Sequence, residues 1–422
     1  MLFVWKSCWS SLHKRNYLPV KLGFSIFLLG LAFRLLFSQS SGFSEVSEAP
    51  FLGKIVKPIA PLKGKCDLFS GDWIPNPAGS VYTNESCKYV FDHQNCMKNG
   101  RPDTGYLYWR WNPRHCELPQ INPEKFLEMM RNKTWALIGD SISRNHVQSL
   151  LCVLSKMPCH EEVEHAVEVY DDQEGRSKRW HFSSYNFTVS VIWSPFLAEA
   201  AIFEDINGVS THEVELQIDK LDTKWSEQYQ GFNYIMFSSG KWFFKSTIYY
   251  KNNKILGCHY CPGKNLTELG FDFAYRKVLR DFFNFIVTSN HKGMIFYRTS
   301  TPDHFENGSW FDGGNCKRTE PVKEGVLELN EMVKIIRDIE LTAFEEAAAK
   351  ASETGVNLRL FDVNPLSLLR PDGHPGAYRH FHPFAKDKNA KIVNDCLHWC
   401  LPGPIDSWND LLMEMVVNGK DD

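Results

Sequence analysis

The chain has 422 residues, of which 43% are hydrophobic and 23% charged, so it is long enough for a large folded domain and is not typical of a disordered protein. Its formal net charge of −3 gives no reason to expect a nucleic acid partner, since such partners usually require a basic face. The 13 tryptophans and 30 phenylalanines suit a large core, although a surplus of tryptophan also suits surfaces that stack on sugars.

The amino terminus predicts a membrane anchor. Residues 1–21 contain four lysines and arginines and no acidic side chain, and residues 22–37 are apolar except for Ser25 and Arg34. This segment is shorter than the about 20 residues that usually span a bilayer, but the long Arg34 side chain can reach the interface. The basic flank predicts a cytosolic tail over 1–21, a transmembrane signal anchor over 22–37 and a lumenal remainder.

A linker follows the predicted anchor. Residues 38–64 are rich in Ser, Pro, Gly and Lys with little periodicity, which is typical of a stem. The alternative interpretation of the amino terminus is a signal peptide that is cleaved after Ser38. Both interpretations place the rest of the chain beyond the membrane.

Cysteines and glycosylation sequons indicate the compartment. Eleven of the 12 cysteines lie beyond residue 60, and the same region holds five sequons, at Asn84, Asn132, Asn186, Asn265 and Asn307. Together they indicate an oxidising, glycosylating compartment and a glycoprotein with disulfide bonds. Cys258 and Cys261 form a CxxC pair, but no second pair stands at zinc-ribbon spacing, so we expect no metal site.

Ordered sequence is expected to begin at residue 65. Residues 65–132 contain four cysteines among many glycines, prolines and aromatic residues, which predicts a loop-rich subdomain held by disulfides with little regular core. From 133 to 415, short apolar runs alternate with helical patterns, and the clearest of these predict strands at 134–138, 187–193, 234–237, 294–297 and 358–363 and helices at 142–154, 274–286 and 326–350. Buried strands that alternate with amphipathic helices predict an α/β fold with a parallel sheet covered on both faces.

Ser141 lies at a predicted strand end. The run Gly139-Asp140-Ser141 leaves the first of these strands and enters a helix, and ligands of doubly wound sheets lie beyond the carboxyl ends of the strands. The free N–H groups of a first helical turn would stabilise the oxyanion that forms when a serine hydroxyl attacks an ester. The alternative interpretation is that Asp140 or Ser141 only caps the helix.

A second group of reactive residues stands near the carboxyl end. On a helical turn, Asp395 and His398 would project from nearly the same face, so the carboxylate could orient the imidazole and stabilise its protonated form. Cys396 lies between the two residues and Cys400 follows them, and disulfides at these cysteines would hold the turn rigid. An isolated histidine is usually an ordinary surface residue, but this combination predicts a catalytic triad with Ser141 as nucleophile.

Six motifs together make the chain resemble the plant trichome-birefringence-like proteins, a family of polysaccharide O-acetyltransferases with a GDSL/SGNH-like core. The resemblance covers about residues 65–415, and the motifs are Cys66-Asp-Leu-Phe-Ser-Gly-Asp-Trp73, Tyr108-Trp-Arg-Trp111, Gly139-Asp-Ser-Ile-Ser-Arg-Asn145, Ser239-Gly-Lys-Trp-Phe-Phe244, Arg370-Pro-Asp-Gly-His-Pro-Gly376 and Asp395-Cys-Leu-His-Trp-Cys-Leu-Pro-Gly403. It implies a three-layer α/β/α fold of the SGNH-hydrolase kind and a triad of Ser141, His398 and Asp395.

The resemblance also implies roles for residues around the triad. Gly240 would join the Ser141 N–H as an oxyanion donor, and Arg144 and Asn145 would line the pocket. The segment 299–304 resembles the family's third block, with Thr301-Pro302 in place of the usual Ser-Pro pair. Arg298 and His304 beside that pair are therefore predicted to contact substrate.

Outside that pocket, His374 is expected to shape a loop rather than to act as a base. The family's cysteine pattern implies the pairs Cys66–Cys116, Cys87–Cys152, Cys96–Cys400 and Cys316–Cys396. It leaves Cys159, Cys258 and Cys261 unassigned.

The activity implied by the resemblance is acetyl transfer to a sugar hydroxyl through an acetyl-serine, in a single-pass type II Golgi membrane protein with a lumenal catalytic domain. The segments 362–370 and 402–408 most resemble the xyloglucan-acetylating branch, with xylan, mannan and pectin as alternative acceptors. No bound cofactor is expected, and the acetyl donor is acetyl-CoA or a group relayed by a membrane protein. The rival interpretations are an acetyl esterase and a carbohydrate-binding protein without catalysis.

Overall fold

The computed structural model describes residues 66–156, 166–172, 175–204 and 209–418. The predicted tail, anchor and stem, as well as Cys159, lie outside the described residues. Among the helices of the described ranges, none is long and apolar enough to cross a membrane.

The described residues form strands and helices that alternate along most of the chain. The strands are β1 (Gly71–Pro75), β2 (Trp109–Pro113), β3 (Thr134–Gly139), β4 (Val167–Asp171), β5 (Lys178–Phe182), β6 (Phe187–Trp193), β7 (Ala198–Ala201), β8 (Val214–Leu221), β9 (Tyr234–Phe237), β10 (Thr247–Lys251), β11 (Lys254–His259), β12 (Met294–Arg298) and β13 (Asn357–Phe361). The helices are α1 (Pro123–Met129), α2 (Ser141–Leu154), α3 (Thr223–Ser226), α4 (Phe271–Thr288), α5 (Glu331–Thr354), α6 (Asn364–Leu368) and α7 (Ser407–Asn418).

The main sheet has seven strands in the order β13-β12-β9-β3-β6-β5-β4. Its five strands from β13 to β6 run parallel, as the sequence predicts. At the other end of the sheet, β5 pairs antiparallel with β6, and β4 pairs antiparallel with β5. A short turn in which Asn186 adopts a left-handed conformation joins β5 to β6. The structure also contains a four-stranded mixed sheet, β11-β10-β8-β7, and the ribbon β1-β2, which the sequence analysis does not predict.

Alternate side chains of β3 point to opposite faces of the main sheet, and each face is covered by its own layer of helices. Trp135 and Leu137 belong to one buried cluster, which contains α1, α2 and α7, whereas Ala136 and Ile138 belong to another, which contains α4 and α5. Because helices cover both faces of the sheet, the three-layer α/β/α prediction is confirmed. The carboxyl ends of β3, β9 and β12 therefore open at one edge of the sheet.

The cysteine-rich segment shares the core of the main sheet. Trp73, Tyr82 and Trp111 are buried in the same cluster as Trp135, and the Trp73 indole N–H donates to the Leu366 carbonyl at 2.9 Å. The segment therefore has little core of its own, and its stability depends on the main sheet and helices against which it packs.

Helix α5 begins later than the sequence pattern predicts. Its first residue is Glu331, because the Asn330 side chain caps the helix by accepting from the Val333 N–H at 2.9 Å. Val326, which the pattern includes, is 58% exposed. The helix ends at Thr354 and is followed by Gly355, whose φ of 72° is a conformation that favours glycine.

Candidate active site

The turn between β3 and α2 positions Ser141. Asp140 caps the helix, since its carboxylate accepts from the Ile142 N–H at 3.0 Å. A Cβ atom at Gly139 would lie 2.5 Å from the Ser238 carbonyl and 2.7 Å from the Ser143 hydroxyl, so only glycine fits this turn. Ser141 is thus the first residue of the helix, at the edge where the parallel strands end.

The structure brings the three predicted catalytic residues into contact. The Ser141 Oγ lies 2.7 Å from the His398 Nε2, and the His398 Nδ1 lies 2.8 Å from the Asp395 Oδ2. The serine and the histidine are 257 positions apart in the chain, so the fold itself creates this arrangement. The side chain of His398 is 15% exposed, which leaves an opening to substrate.

Asp395 and His398 do not lie on a helical turn, which corrects the local prediction. Asp395 pairs with Gly376 in an antiparallel bridge, and its Oδ1 accepts from the N–H groups of Leu397 at 3.2 Å and His398 at 3.0 Å. Burial alone would raise the pKa of Asp395, but the His398 charge and hydrogen bond and the nearby Arg379 outweigh it and hold this pKa well below its usual range. Asp395 is therefore ionised and oriented toward the imidazole.

Asn145 holds the histidine segment against the serine helix. Its Oδ1 accepts from the Trp399 N–H at 2.8 Å and its Nδ2 donates to the Trp399 carbonyl at 3.3 Å. Asn145 is 1% exposed and fixes the main chain beside His398. The sequence analysis assigns it to the pocket lining and does not predict this contact. The Cys96–Cys400 and Cys316–Cys396 disulfides tie the same segment to two other loops.

Gly240 lies in the loop after β9, directly before the short helical turn Lys241–Phe244. It has φ 138°, and a Cβ there would lie 2.1 Å from the Ser300 Oγ, which itself donates to the Ser239 carbonyl at 2.8 Å. Within the described residues, the N–H groups of Ser141 and Gly240 donate to no other protein group. Both are thus available to an oxyanion.

Two family models match the chain. The GDSL/SGNH-like acyl-esterase family found in Pmr5 and Cas1p matches residues 118–415, and the PMR5 N-terminal domain matches residues 64–117. The chain belongs to this esterase-like family. The resemblance that the sequence motifs indicate is therefore confirmed.

Curated relatives in the family align over nearly the whole chain. Protein trichome birefringence-like 23 of Arabidopsis thaliana is 50% identical over 438 residues, which cover 100% of this chain and 99% of that protein. Xyloglucan O-acetyltransferase 1 of Populus trichocarpa is 40% identical over 389 residues, which cover 90% of this chain and 86% of that protein. A second Populus protein, xyloglucan O-acetyltransferase 2, is 40% identical over 83% of this chain and 82% of its own length.

Arg298 is a buried residue beside the site. It is 3% exposed, its guanidinium donates to the Ser238 Oγ at 2.6 Å, and that hydroxyl lies 3.0 Å from the Ser143 Oγ. Arg298 thereby connects β12 to the loop after β9 and to the helix that carries Ser141, and its substrate contact stays a prediction. Burial lowers the pKa of Arg298 to about 10, a value that still leaves it charged near neutral pH.

His304 and His374 form a buried pair beside the site. The His304 Nδ1 lies 2.7 Å from the His374 Nε2, and the outer ring nitrogens lie against the carbonyls of Leu368 and His398 at 3.0 Å and 2.7 Å. Burial lowers the pKa of His304 to about 4 and also lowers the pKa of His374 well below its ordinary value. Because each outer nitrogen faces a carbonyl and must donate to it, the short contact between the inner nitrogens requires one proton between them. His304 is 7% exposed, and its substrate contact stays a prediction. The arrangement of His374 fits a loop-shaping role.

Arg144 lies one helical turn after Ser141, and its place in the substrate pocket stays a prediction. Its guanidinium lies 5.7 Å from the Phe91 ring centre and 5.6 Å from that of Trp193, one helical turn after Ser141. Burial lowers the pKa of Arg144, and the neighbouring Arg176 lowers it further. A second cation, Arg379, lies 4.0 Å from the Asp395 carboxylate, and the sequence analysis does not identify it.

Glu340 is a buried acid that the sequence analysis also misses. Its carboxylate accepts from the Ser300 N–H at 3.0 Å and from the Tyr275 hydroxyl at 2.8 Å, so it supports the loop segment whose Ser300 side chain packs against Gly240. The sequence does contain a signal for its burial, because Glu340 lies on the apolar stripe of α5, four residues after Ile336 and four before Phe344. Burial raises the pKa of Glu340 to about 8.

The raised pKa predicts that stability falls with pH. Neutral Glu340 contributes its full stability below the ordinary pKa of 4.5, and this contribution is lost as the pH rises through about 8. Relative to Glu340→Gln, we expect the free energy of unfolding of the wild type to fall by about 1.4 kcal/mol per pH unit in this window. Urea unfolding of both proteins across the window measures the difference, with Glu345→Gln on the exposed face of the same helix as control. Parallel pH profiles for wild type and Glu340→Gln would contradict the buried neutral acid.

Within the residues that the structure describes, the four predicted disulfides are present together with one more. The predicted pairs are Cys66–Cys116, Cys87–Cys152, Cys96–Cys400 and Cys316–Cys396. The CxxC cysteines form the fifth, Cys258–Cys261, beside Glu268. Since the bond uses both sulfur atoms, this group offers no thiolate pair to a metal.

All five sequons have solvent access. Asn84 is half-buried, and the other four acceptors, Asn132, Asn186, Asn265 and Asn307, are exposed. The Asn186 Nδ2 donates to the Asn132 Oδ1 at 3.0 Å, so glycans at these two positions would share one surface patch. Glycosylation itself stays a prediction.

Proposed function

We propose that the protein is a polysaccharide O-acetyltransferase that carries the acetyl group on Ser141. The contact of Ser141 with His398, and of His398 with Asp395, is the observation that supports it most directly. Family membership and the 40% identity to proteins named xyloglucan O-acetyltransferase support polysaccharide O-acetylation.

The first half-reaction loads the serine. The His398 Nε2 removes the Ser141 proton while the Oγ attacks the acetyl carbonyl of the donor, and the N–H groups of Ser141 and Gly240 stabilise the resulting oxyanion. When this intermediate collapses, the bond to the donor's leaving group breaks and the leaving group takes the proton from His398. Ionised Asp395 stabilises the imidazolium between these two steps.

The second half-reaction transfers the acetyl group. A sugar hydroxyl gives its proton to the His398 Nε2 and its oxygen attacks the acetyl-serine carbonyl. The second tetrahedral intermediate expels the Ser141 oxygen, which takes the proton back. One ester bond is exchanged for another at each step, so the reaction needs no oxidant, metal or bound cofactor.

The acceptor and the cellular setting complete the proposal. The galactose side chains of xyloglucan are the proposed acceptor, with xylan, mannan and pectin as alternatives. The donor is acetyl-CoA or an acetyl group supplied by a partner membrane protein, and the anchor over 22–37 would hold the domain on the lumenal side of the Golgi membrane. The family description as an acyl esterase favours one second candidate, an acetyl esterase with water as the acceptor.

A single assay separates the transferase from the esterase. The purified protein is supplied with a chromogenic acetyl ester or acetyl-CoA and with a panel of oligosaccharides from xyloglucan, xylan, mannan and pectin. We expect acetylated galactose on the xyloglucan oligosaccharides to exceed free acetate at saturating acceptor. Release of acetate alone, whichever oligosaccharide is present, would establish the esterase instead.

A further inference from the structure

Phe311 is the most exposed of the large hydrophobic side chains in the described residues, at 86%. It stands in the loop 306–315, whose ends pair as Glu306 and Asn315 in an antiparallel bridge with hydrogen bonds of 2.7 Å and 2.9 Å. Single exposed apolar residues are common on protein surfaces and carry no argument alone. The position and rigidity of this loop distinguish Phe311 from them.

Both ends of the loop are attached to the residue after Asp395. On the entering side, the His304 N–H donates to the Cys396 carbonyl at 2.9 Å. On the leaving side, Cys316 forms its disulfide with Cys396. The loop is therefore built onto the segment that carries Asp395 and His398.

The inside of the loop is ordered by its own hydrogen bonds. The Asp312 carboxylate accepts from the Ser309 N–H and from the Ser309 hydroxyl, the latter at 2.7 Å, and the Gly314 N–H donates to the Ser309 carbonyl at 2.9 Å. A preformed loop loses little conformational entropy when a ligand binds. Phe311 is thus presented at the tip of a rigid support.

Arg379 connects the loop to the reaction centre. Its guanidinium lies 4.9 Å from the Trp310 ring centre, and one of its nitrogens lies 4.0 Å from the Asp395 Oδ2. Phe305 braces Trp310 from another side in an edge-to-face contact at 6.0 Å. Trp310 is therefore separated from the catalytic carboxylate by one side chain.

We propose that Trp310, Phe311 and Arg379 form an acceptor platform, on which Phe311 and Trp310 stack against neutral pyranose rings of the polysaccharide next to the unit that is acetylated. This inference rests on the proposed function and names the binding site for its acceptor. The C–H face of a pyranose is weakly positive and apolar, so it fits the negative face of an aromatic ring, and its hydroxyl edge stays in water. An interrupted aromatic surface among polar residues suits such a ligand better than it suits a protein, which would cover a continuous apolar patch.

The test compares acceptor binding with chemistry in Phe311→Ala. We expect the KM for a galactosylated xyloglucan oligosaccharide to rise about tenfold, which corresponds to the loss of one aromatic stacking contact. Because Phe311 contacts no reacting atom, kcat and the hydrolysis of p-nitrophenyl acetate should stay within about twofold. Trp310→Ala should raise the same KM, Phe311→Tyr should restore it, and Phe273→Ala, which removes a 40% exposed ring from α4, should leave it unchanged.

Calorimetric titration of the same oligosaccharide separates this inference from the proposed function. Should the wild type bind the oligosaccharide without acetylating it, weaker binding by Phe311→Ala still supports the platform and only the function is lost. Should the wild type transfer acetyl while both alanine variants keep its KM and affinity, the platform is overturned and the function stands. If the wild type neither binds nor acetylates any oligosaccharide of the panel, both are overturned.

Discussion

Replacement of Ser141 by alanine should reduce acetyl transfer by about 10⁴-fold or more, because it removes the only atom that can carry the acetyl group. His398→Ala should have an effect of similar size, since the serine then loses its base, and the double variant should be no worse than either single one. Acetyl incorporated into oligosaccharide measures both. Mass spectrometry of the wild type after incubation with an acetyl ester should find the acetyl group on Ser141.

Ser143→Ala is the matched control for this result. It removes a hydroxyl from the same helical turn, but that hydroxyl contacts the Ser238 Oγ and not His398. We expect its activity to stay within about tenfold of the wild type, in line with the loss of one structural hydrogen bond. Substantial transfer by Ser141→Ala, or covalent labelling of that variant by a serine-reactive phosphonate, would refute the assignment of the nucleophile.

Asp395→Asn should lower kcat by about 10³–10⁴-fold while the protein stays folded. The amide keeps the volume of the carboxylate, and its oxygen can still accept from the Leu397 and His398 main chain. The amide carries no charge to stabilise the imidazolium. In addition, an amide N–H directed at the His398 Nδ1 would place the ring proton on the Nε2, and a protonated Nε2 cannot accept the proton of Ser141. The pH profile of kcat, measured beside the thermal unfolding temperature, separates this effect from loss of structure.

Asp406→Asn provides the comparison for a buried carboxylate without a catalytic contact. Asp406 accepts from the Tyr82 hydroxyl at 2.8 Å and from the Gly403 N–H at 2.9 Å. Burial raises the pKa of Asp406 to about 6, so a neutral side chain is tolerated there near that pH. We expect the substitution to change stability more than kcat, whereas equal losses of kcat at both positions would mean that Asp395 acts only through the fold.

The sequence predicts the central strands because each is buried on both faces and is therefore a continuous apolar run, as in 134–138 and 234–237. It does not predict β4, whose five residues are all exposed, or β11, whose first three residues are exposed, because their apolar side chains face solvent and are too few to mark a buried strand. Their place in the fold depends on the neighbours with which they pair. The antiparallel edge strands β5 and β4 and the sheet β11-β10-β8-β7 are therefore visible only in the structure.

The site residues likewise divide into those that a local sequence pattern predicts and those whose role depends on distant partners. Ser141 and the pair Asp395 and His398 are predictable because each lies in a short motif whose chemistry is local. Arg298 and Glu340 are not, because their roles are set by partners that lie far away in sequence, a hydroxyl on Ser238 and an N–H on Ser300. A polar residue at a strand end looks the same in sequence whether it faces a ligand or a buried hydrogen-bond partner.

The Cys96–Cys400 bond has a consequence for how the protein is made. Its two sulfur atoms are 304 positions apart, so at a synthesis rate of about 5–20 residues per second the first thiol waits roughly 15–60 s on the ribosome for the second. During that interval Cys87 and Cys116 are the nearer reaction partners, and the serine helix has emerged without its histidine. Recombinant production should therefore respond strongly to a disulfide isomerase, and any fragment that stops before residue 396 would be born without a base for its nucleophile.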